Sequence, residues 1–162
     1  MSVIISNELK RYNHLIGEIG AAYHEISLKL GLSDSAMNIL YTILEHGGEC
    51  PLQEICRLSG LSKQTINSSV RKLESEGIVR LELRNPENRK MGEASFPWRK
   101  KVCLTEKGQI FAEQTAGQVL QIENDIFASW PQEDVLKYIQ LTETYLLALR
   151  SKSPNHSIRN GQ

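Results

Sequence analysis

Residues 60–79 read GLSKQTINSSVRKLESEGIV and combine a helical apolar pattern with an unusual polar face. Its apolar residues Ile66, Val70 and Leu73 recur at helical spacing, which predicts a helix with one buried face. The opposite face carries short hydrogen-bonding side chains and an arginine, with no carboxylate before Glu74. A solvated helix usually interleaves Glu and Lys on its outer face. This helix instead presents a surface that suits a negatively charged partner.

The length and composition are those of an ordinary globular protein. The chain has 162 residues, of which 40% are hydrophobic and 23% charged, so one core is expected. No apolar run approaches the roughly 20 residues that a membrane span needs. The N-terminus lacks the basic-then-apolar order of a signal peptide. We therefore expect a cytoplasmic protein without a membrane partner.

The three cysteines predict reduced thiols rather than a disulfide framework, because their number is odd and their spacing irregular. We expect Cys56 and Cys103 to be buried and inert. Cys50 lies near a predicted helix start, so we expect it to be the exposed thiol and the one open to oxidation.

A net charge of zero conceals a strong segregation of charge. Between Arg57 and Lys107 there are 12 Lys or Arg and 6 Asp or Glu, an excess of six positive charges. The remaining residues carry the compensating negative excess. A local basic region of this kind is typical of a phosphate-binding surface, although a solvated basic patch is the alternative.

Helices are predicted for the first part of the chain. Residues 6–30 form an amphipathic helix that Gly31 ends. Ser33 caps a second helix over residues 34–46, which stops at Gly47. The apolar stripes are Leu9, Tyr12, Ile16, Ile19, Tyr23, Ile26 and Leu30 on the first helix, and Met37, Leu40, Tyr41 and Leu44 on the second.

A short helix comes before the opening stretch. Pro51 stands at its first position, Ile55 and Leu58 form its apolar side, and Gly60 ends it. Ser62 then caps the helix of the opening stretch.

After Gly77 the hydrophobic period changes from 3.6 to 2, which predicts a β-hairpin. Residues 78–84 alternate between apolar and polar, and residues 101–104 form the second strand. Residues 85–99, NPENRKMGEASFPWR, are rich in turn formers and cations, and they make the connection longer than most hairpin loops.

Two further helices are predicted after the hairpin. Thr105 caps a long helix that runs to about Ala128. Ser129 and Gln132 form a capping box at the start of a last helix over residues 131–150.

Two short helices joined by a tight turn and followed by a basic hairpin have the order of a winged helix-turn-helix. The predicted fold is therefore mainly α with a small β-hairpin wing. Gln and Asn can bond to adenine, Arg to guanine, and Ser to either base. The sequence predicts that double-stranded DNA is read by Gln64, Asn67, Ser68 and Arg71, and that its backbone is bound by Ser62, Lys63, Thr65 and Lys72. A merely polar helix face is the alternative.

Three runs of sequence resemble the MarR family of bacterial transcription regulators across about residues 9–150. They are LGLSDSAMNILYTILEHGG, LQEICRLSGLSKQTINSSVRKLESEGIV, and NPENRK followed by KVCLTEKGQIFAE. The resemblance implies a homodimeric regulator, such as a repressor, on a pseudo-palindromic site, with an interface formed by the first, fifth and sixth helices. It also implies a small-molecule or oxidant signal that weakens DNA binding. Apolar stripes too long for one small domain agree with a dimer: Ile122, Ile126, Leu136, Ile139, Leu146 and Leu149.

The predicted wing is longer than the family's usual wing. Arg89 matches the family's minor-groove arginine by position, and a narrow minor groove attracts an inserted Arg. Arg84 and Lys90 are predicted to contact DNA beside it. The additional residues could instead bring Arg99 or Lys100 to the DNA.

The family's effector pocket lies between the dimer helices and the winged helix. By this resemblance, the candidate pocket residues are Tyr12, His14, Tyr23, His24 and Tyr41, although core packing explains the tyrosines equally well. Phe96 and Trp98 could touch a ligand or partner, or anchor the long loop.

The predicted organisation is a helical dimerisation region at 1–32 and 105–150, a winged helix-turn-helix at 33–104, and a disordered tail at 151–162. No metal-binding His pair, glycine-rich phosphate loop or nucleophile elbow is present, so we expect no cofactor, no metal and no enzymatic activity. A winged helix that binds another protein is the alternative function. It predicts acidic or large apolar residues on the outer face of the 62–76 helix.

Overall fold

Seven helices and three strands make up the described residues, 4–83 and 100–153, of the computed structural model. The expected fold class, mainly α with a small antiparallel sheet, is confirmed. In chain order the elements are α1 (Asn7–Lys29), α2 (Asp34–Glu45), β1 (Glu49–Pro51), α3 (Leu52–Ser59), α4 (Lys63–Ser75), β2 (Val79–Leu83), β3 (Lys100–Leu104), α5 (Glu106–Gln114), α6 (Ala116–Ala128) and α7 (Gln132–Lys152).

Hydroxyl side chains set where four of the helices begin, since each accepts a hydrogen bond from a backbone N–H of the first turn that has no partner within its helix. The oxygen–nitrogen distances lie between 2.9 and 3.2 Å. Glycines in the left-handed conformation follow α1, α3 and α4, where a side chain would strain the backbone. The caps are Ser6, Ser33, Ser62 and Thr105, of which the last three confirm the sequence-based predictions.

The three strands form one antiparallel sheet in the order β1, β3, β2. The predicted hairpin is confirmed, with Val79 opposite Leu104 and Leu83 opposite Lys100. Strand β1 was not predicted, because three residues are too short to show a period. Pro51 is the last residue of β1 and immediately precedes α3, so its predicted place inside the first helical turn is wrong.

The core is centred on α2, where Ile39, Leu40 and Ile43 are fully buried. Ile55 of α3 is buried as predicted, whereas Leu58 is 46% exposed and its predicted place in the core is wrong. The inward face of α3 instead uses Leu52 and Cys56, which pack against the core on the same side as Ile55. Leu58 is three residues after Ile55 but lies about 160° around the helix from Cys56, which places it at the edge of this face.

The single helix predicted from Thr105 to Ala128 is interrupted, and this prediction is wrong. Thr115 lies between α5 and α6 with φ −120° and ψ −88°. Its hydroxyl donates to the carbonyl of Phe111 at 2.8 Å, and its N–H bonds to Ala112, three residues back. A β-branched residue whose hydroxyl competes for backbone carbonyls disfavours a continuous helix at this point.

The capping box predicted at the start of α7 is also absent. The Ser129 hydroxyl donates to the carbonyl of Ile126 at 2.6 Å, within the turn that ends α6. Pro131 takes the cap position without a side-chain hydrogen bond. The Ser129 hydroxyl therefore bonds within the preceding helix and does not cap α7. Serine hydroxyls commonly bond to nearby backbone carbonyls in this way.

By its internal contacts the chain divides into two compact units, Met1–Leu120 and Gln121–Gln162. Helix α7 continues to Lys152, two residues into the predicted tail, and residues 154–162 lie outside the described residues. Among the described residues, no helix combines the length and the apolar character that crossing a membrane requires.

Candidate nucleic-acid interface

The turn between α3 and α4 is held by a serine hydroxyl. Ser59 donates to the carbonyl of Cys56 at 3.3 Å and accepts from the N–H of Leu61 at 3.2 Å. Gly60 supplies the left-handed turn with φ 66°. Ser62 then caps α4, so the starting point and direction of this helix are set by local hydrogen bonds.

The outer face of α4 carries the four side chains predicted to read bases. Ile66, Val70 and Leu73 are buried on the opposite face. Within the described part of the chain, the four outer side chains make no hydrogen bond or ion pair with another residue, so their donors and acceptors remain available to an external partner. These exposed residues are Gln64, Asn67, Ser68 and Arg71.

The residues predicted to bind the DNA backbone lie around the same helix. The hydroxyls of Ser62 and Thr65 are 2.8 Å apart, and the Ser62 oxygen also caps the helix. Lys63 and Lys72 are exposed on the first and last turns of α4. Ser62 therefore caps α4 as predicted, while its contact with the DNA backbone stays a prediction.

The C-terminal end of α4 is held by the segment that follows β3. The ammonium group of Lys107 donates to the carbonyl of Glu76 at 2.8 Å, and the Thr105 hydroxyl donates to the carbonyl of Gly77 at 2.6 Å. A cation at a helix C-terminus also interacts favourably with the helix dipole. We call Thr105, Lys107 and Gly108 the α5 clamp.

Gly108 completes the α5 clamp because only a residue without a side chain fits there. A Cβ atom at this position would lie 1.7 Å from the carbonyl oxygen of Ile78. The backbone of α5 therefore approaches the segment between α4 and β2 directly. This contact gives Gly108 of the LTEKG sequence a structural role beside the cap residue Thr105.

A charged network crosses the sheet. The Lys101 ammonium lies 2.7 Å from Glu49 on β1 and 3.4 Å from Glu82 on β2. Arg80 donates to Glu82 at 2.7 Å and to the carbonyl of Leu104 at 3.0 Å. Two cations of the basic region are thus engaged within the protein, which the charge count alone did not reveal.

Hydrogen bonds within this network shift the pKa values of its four side chains. The hydrogen bond from Lys101 holds the pKa of Glu49 below its ordinary value, and the hydrogen bond from Arg80 does the same to the pKa of Glu82. The pKa values of Lys101 and Arg80 are raised in return, chiefly by their hydrogen bonds to Glu49 and Glu82. All four groups therefore stay charged across the neutral range.

Most of the predicted wing contacts lie outside the described residues. They are Arg84, Arg89 and Lys90, the alternative Arg99, and the loop aromatics Phe96 and Trp98. Lys100, the other alternative, is the first residue of β3, where it is half-buried opposite Leu83.

Four of the predicted effector residues lie along α1, and the fifth lies on α2. Tyr12, His14, Tyr23 and His24 are exposed, whereas Tyr41 is half-buried against the core. The imidazole Nδ1 of His24 lies 2.8 Å from a carboxylate oxygen of Asp34.

A cleft of about 520 Å³ lies within the helix-turn-helix. It is lined from α3, from the turn and from the first half of α4, and none of the five predicted effector residues lines it. The sequence had suggested no cavity here, because its lining combines residues from two helices. The lining residues are Leu52, Gln53, Cys56, Arg57, Leu61, Lys63 and Asn67.

The exposure predicted for two of the thiols is reversed in the structure. Cys50, predicted to be exposed, is fully buried in β1, and Cys56, predicted to be buried, is partly exposed on the cleft. Cys103 is buried as predicted. Burial raises the pKa of the Cys56 thiol, with nearby Lys63 opposing the shift. The described residues contain no group of three or more His, Cys, Asp or Glu side chains arranged to hold a metal ion.

Residues 30–91 match the family model described as MarR family. The solved structures similar to the chain include NMB1585, a MarR family regulator from Neisseria meningitidis, with a TM-score of 0.73 at 16% identity over 90% of this chain and 96% of that one. NadR in complex with 4-hydroxyphenylacetate has a TM-score of 0.61 at 16% identity, over 95% and 99% of the two chains.

PcaV from Streptomyces coelicolor, a transcriptional regulator in complex with its natural ligand, has a TM-score of 0.59 at 14% identity, over 90% and 99% of the two chains. A search of curated proteins finds no significant match. At these identities the structural likeness concerns the fold. With the family match at residues 30–91, it confirms the resemblance inferred from the sequence: the chain has the winged helix-turn-helix fold of MarR family regulators.

Proposed function

We propose that this protein is a sequence-specific DNA-binding transcription regulator of the bacterial cytoplasm that acts as a homodimer on a pseudo-palindromic operator. The observation that carries the proposal is the outer face of α4. It exposes Gln64, Asn67, Ser68 and Arg71 without a carboxylate, and the described residues offer these side chains no internal partner. Such a face suits base edges in a major groove, where Arg, Asn and Gln make bidentate hydrogen bonds.

The way α4 is held supports this function. The Ser62 cap and the turn around Ser59 fix its start, and the α5 clamp holds its end through the carbonyls of Glu76 and Gly77. A helix that reads bases must keep its side chains within a fraction of an ångström of a productive geometry. Anchoring both ends provides that rigidity.

The homodimer is supported by apolar faces that the chain does not cover. Five residues of the α1 stripe, Leu9, Tyr12, Ile16, Ile19 and Tyr23, are each 40–49% exposed. Helix α7 separately exposes Leu136, Ile139, Leu146 and Leu149. Faces of this kind usually mark protein–protein contact, and a second copy of the chain is the partner that a two-fold operator requires.

Release by a small-molecule effector is the second part of the proposal. It is supported by two proteins of the same fold, NadR and PcaV, whose structures contain 4-hydroxyphenylacetate and a natural ligand. The α1 residues Tyr12, His14, Tyr23 and His24, together with Tyr41, remain the proposed pocket for such an effector.

The alternative is a winged helix that contacts another protein instead of DNA. A protein-binding helix face is expected to carry large apolar or aromatic anchors. The outer face of α4 carries none, which favours DNA.

The test starts by enriching random-sequence duplexes on the full-length protein to obtain an operator. Asn67→Ala and Arg71→Ala should each lower the affinity for that operator by roughly 1–3 kcal/mol and relax its specificity, because each removes a base contact. Non-specific binding should change less. Gel shifts across operator and scrambled duplexes measure both effects.

Arg150→Ala is the matched control, since it removes an exposed arginine from α7 and should leave operator binding unchanged. Failure to enrich any duplex would reject the DNA-binding function. Wild-type affinity in both α4 variants would reject this helix as the reading element.

A further inference from the structure

The cleft within the helix-turn-helix combines an apolar lining with positive charge. Leu52, Leu61 and Cys56 provide the apolar part, and Arg57 and Lys63 provide two cations. Its described lining contains no acidic residue. Its volume of about 520 Å³ lies within the range of roughly 300–1,000 Å³ typical of pockets that hold small organic molecules. The lining therefore suits an amphipathic anion.

Arg57 is held in place beside the cleft. Its Nε donates to Glu54 at 3.0 Å, and its Nη2 makes a second hydrogen bond to the same carboxylate. A guanidinium has five N–H donors, so these two bonds leave donors for a ligand. Glu54 itself does not line the cleft, but its negative charge partly offsets the attraction of Arg57 for an anion.

The lining also distinguishes between kinds of apolar ligand. Among the described residues, no aromatic ring lines the cleft, so these residues offer a flat aromatic ligand no ring on which to stack. Leucine side chains and a thiol are soft, irregular surfaces that pack well against a flexible alkyl chain. We propose that this cleft binds a medium-chain alkyl carboxylate, with its chain against Leu52, Leu61 and Cys56 and its carboxylate at Arg57 and Lys63.

Binding in the cleft would act directly on DNA contact, a consequence that rests on the proposed function. Lys63 and Asn67 line the cleft and also belong to the proposed DNA surface. An alkyl carboxylate would neutralise Lys63 and occupy space beside Asn67. The ligand and the operator would therefore compete for the same face of the protein, without any change transmitted from the α1 residues.

The site is tested by calorimetric titration of the full-length protein with octanoate in the absence of DNA. Octanoate should bind, and 1-octanol, which has the same chain without the charge, should bind at least tenfold more weakly. Arg57→Gln removes a cation and Cys56→Phe fills the cleft, so each should weaken octanoate binding at least tenfold.

Glu54→Gln should have the opposite effect and strengthen octanoate binding, because it removes the competing carboxylate from Arg57. Lys137→Gln, which removes an exposed lysine from α7, is the control and should bind octanoate normally. Equal binding of octanol, or normal octanoate binding in both Arg57→Gln and Cys56→Phe, would overturn the site.

Competition is measured separately, with a labelled operator duplex. Direct competition predicts that the apparent Kd for DNA rises in proportion to octanoate concentration without reaching a plateau. A plateau would mean that protein, octanoate and DNA form a ternary complex, and would overturn the shared surface. The two proposals can be told apart. Octanoate binding without any DNA binding would reject only the regulator function, and DNA binding without octanoate binding would reject only the ligand site in the cleft.

Discussion

At Gly108 the fold leaves no room for a side chain. Gly108→Ala would place a Cβ atom 1.7 Å from the carbonyl oxygen of Ile78, which is backbone and can yield only by moving α5 away from the end of α4. We expect the free energy of unfolding to fall by roughly 3 kcal/mol, the upper part of the range for overpacked sites. Urea unfolding measures the loss.

Gly117→Ala is the matched control for that substitution. Gly117 is also in a helix, but its Cβ would meet its nearest neighbour, the carbonyl oxygen of Ala112, at an ordinary 3.5 Å. Alanine is the better helix former by about 1 kcal/mol, so this variant should be as stable as the wild type or more so. Equal stability of the two variants would contradict the close approach of α5.

The thiols are predicted to be poor oxidant sensors. Cys50 and Cys103 are buried, and the partly exposed Cys56 has a pKa raised by burial, so little of it is the reactive thiolate. Operator binding should therefore survive mild peroxide in gel shifts. A loss of binding that Cys56→Ser prevents would instead identify a thiol switch on the cleft.

Helix caps and buried helix faces, which neighbouring residues determine, were predictable from the sequence. Elements that form by pairing with a distant part of the chain were not. The Ser62 cap and the buried face of α4 follow from local hydrogen bonding and periodicity. Strand β1 exists because it pairs with β3, some fifty residues later in the chain. The break at Thr115 is local, but the helical periodicity of the apolar residues does not reveal it.

Some features of the candidate site were likewise predictable from the sequence and others were not. The four exposed side chains on the outer face of α4 were predictable because they all lie on one helix. The neutralisation of Lys101 by Glu49 was not, since those residues meet only across paired strands. The cleft was missed because two helices, α3 and α4, line it together, and the periodicity of one helix does not show how it packs against the next.

The sheet network should make stability depend on acid pH. The pKa values of Glu49 and Glu82 are held below their ordinary value of about 4.5. Their stabilising contribution is therefore complete above that pH and is lost as the pH falls through the lowered values. Urea unfolding from pH 7 to pH 3 should show this loss.

The variants Glu49→Gln and Glu82→Gln test the assignment of that pH dependence. Each should be less stable than the wild type at pH 7, and the difference should shrink as the pH falls through the lowered pKa values, where the wild-type carboxylates become protonated. Glu113→Gln is the control, because its carboxylate accepts a hydrogen bond from Gln109 and lies in no ion pair among the described residues. Parallel stability curves for all three variants and the wild type would contradict a role for the network.

The exposed apolar faces of α1 and α7 are thermodynamically unfavourable for a single chain in water. Each partly exposed leucine or isoleucine forgoes part of the roughly 1.5–3 kcal/mol that full burial of such a side chain provides. A single chain that leaves so many of them in water is expected to associate. This expectation concerns each helix separately and needs no assumption about how the two compact units are arranged.

We therefore expect light scattering to give twice the 18.3 kDa chain mass at micromolar concentration. Leu146→Glu would bury a charge at an apolar contact and should shift the mass to that of the monomer, whereas Gln140→Glu on the same helix is the charge-matched control and should remain dimeric. Because two recognition helices about 34 Å apart must engage successive major grooves, the monomeric variant should also lose operator affinity. A wild-type protein that stays monomeric would reject the paired half-site model, while a DNA-binding monomer would show that α4 reads bases without a partner.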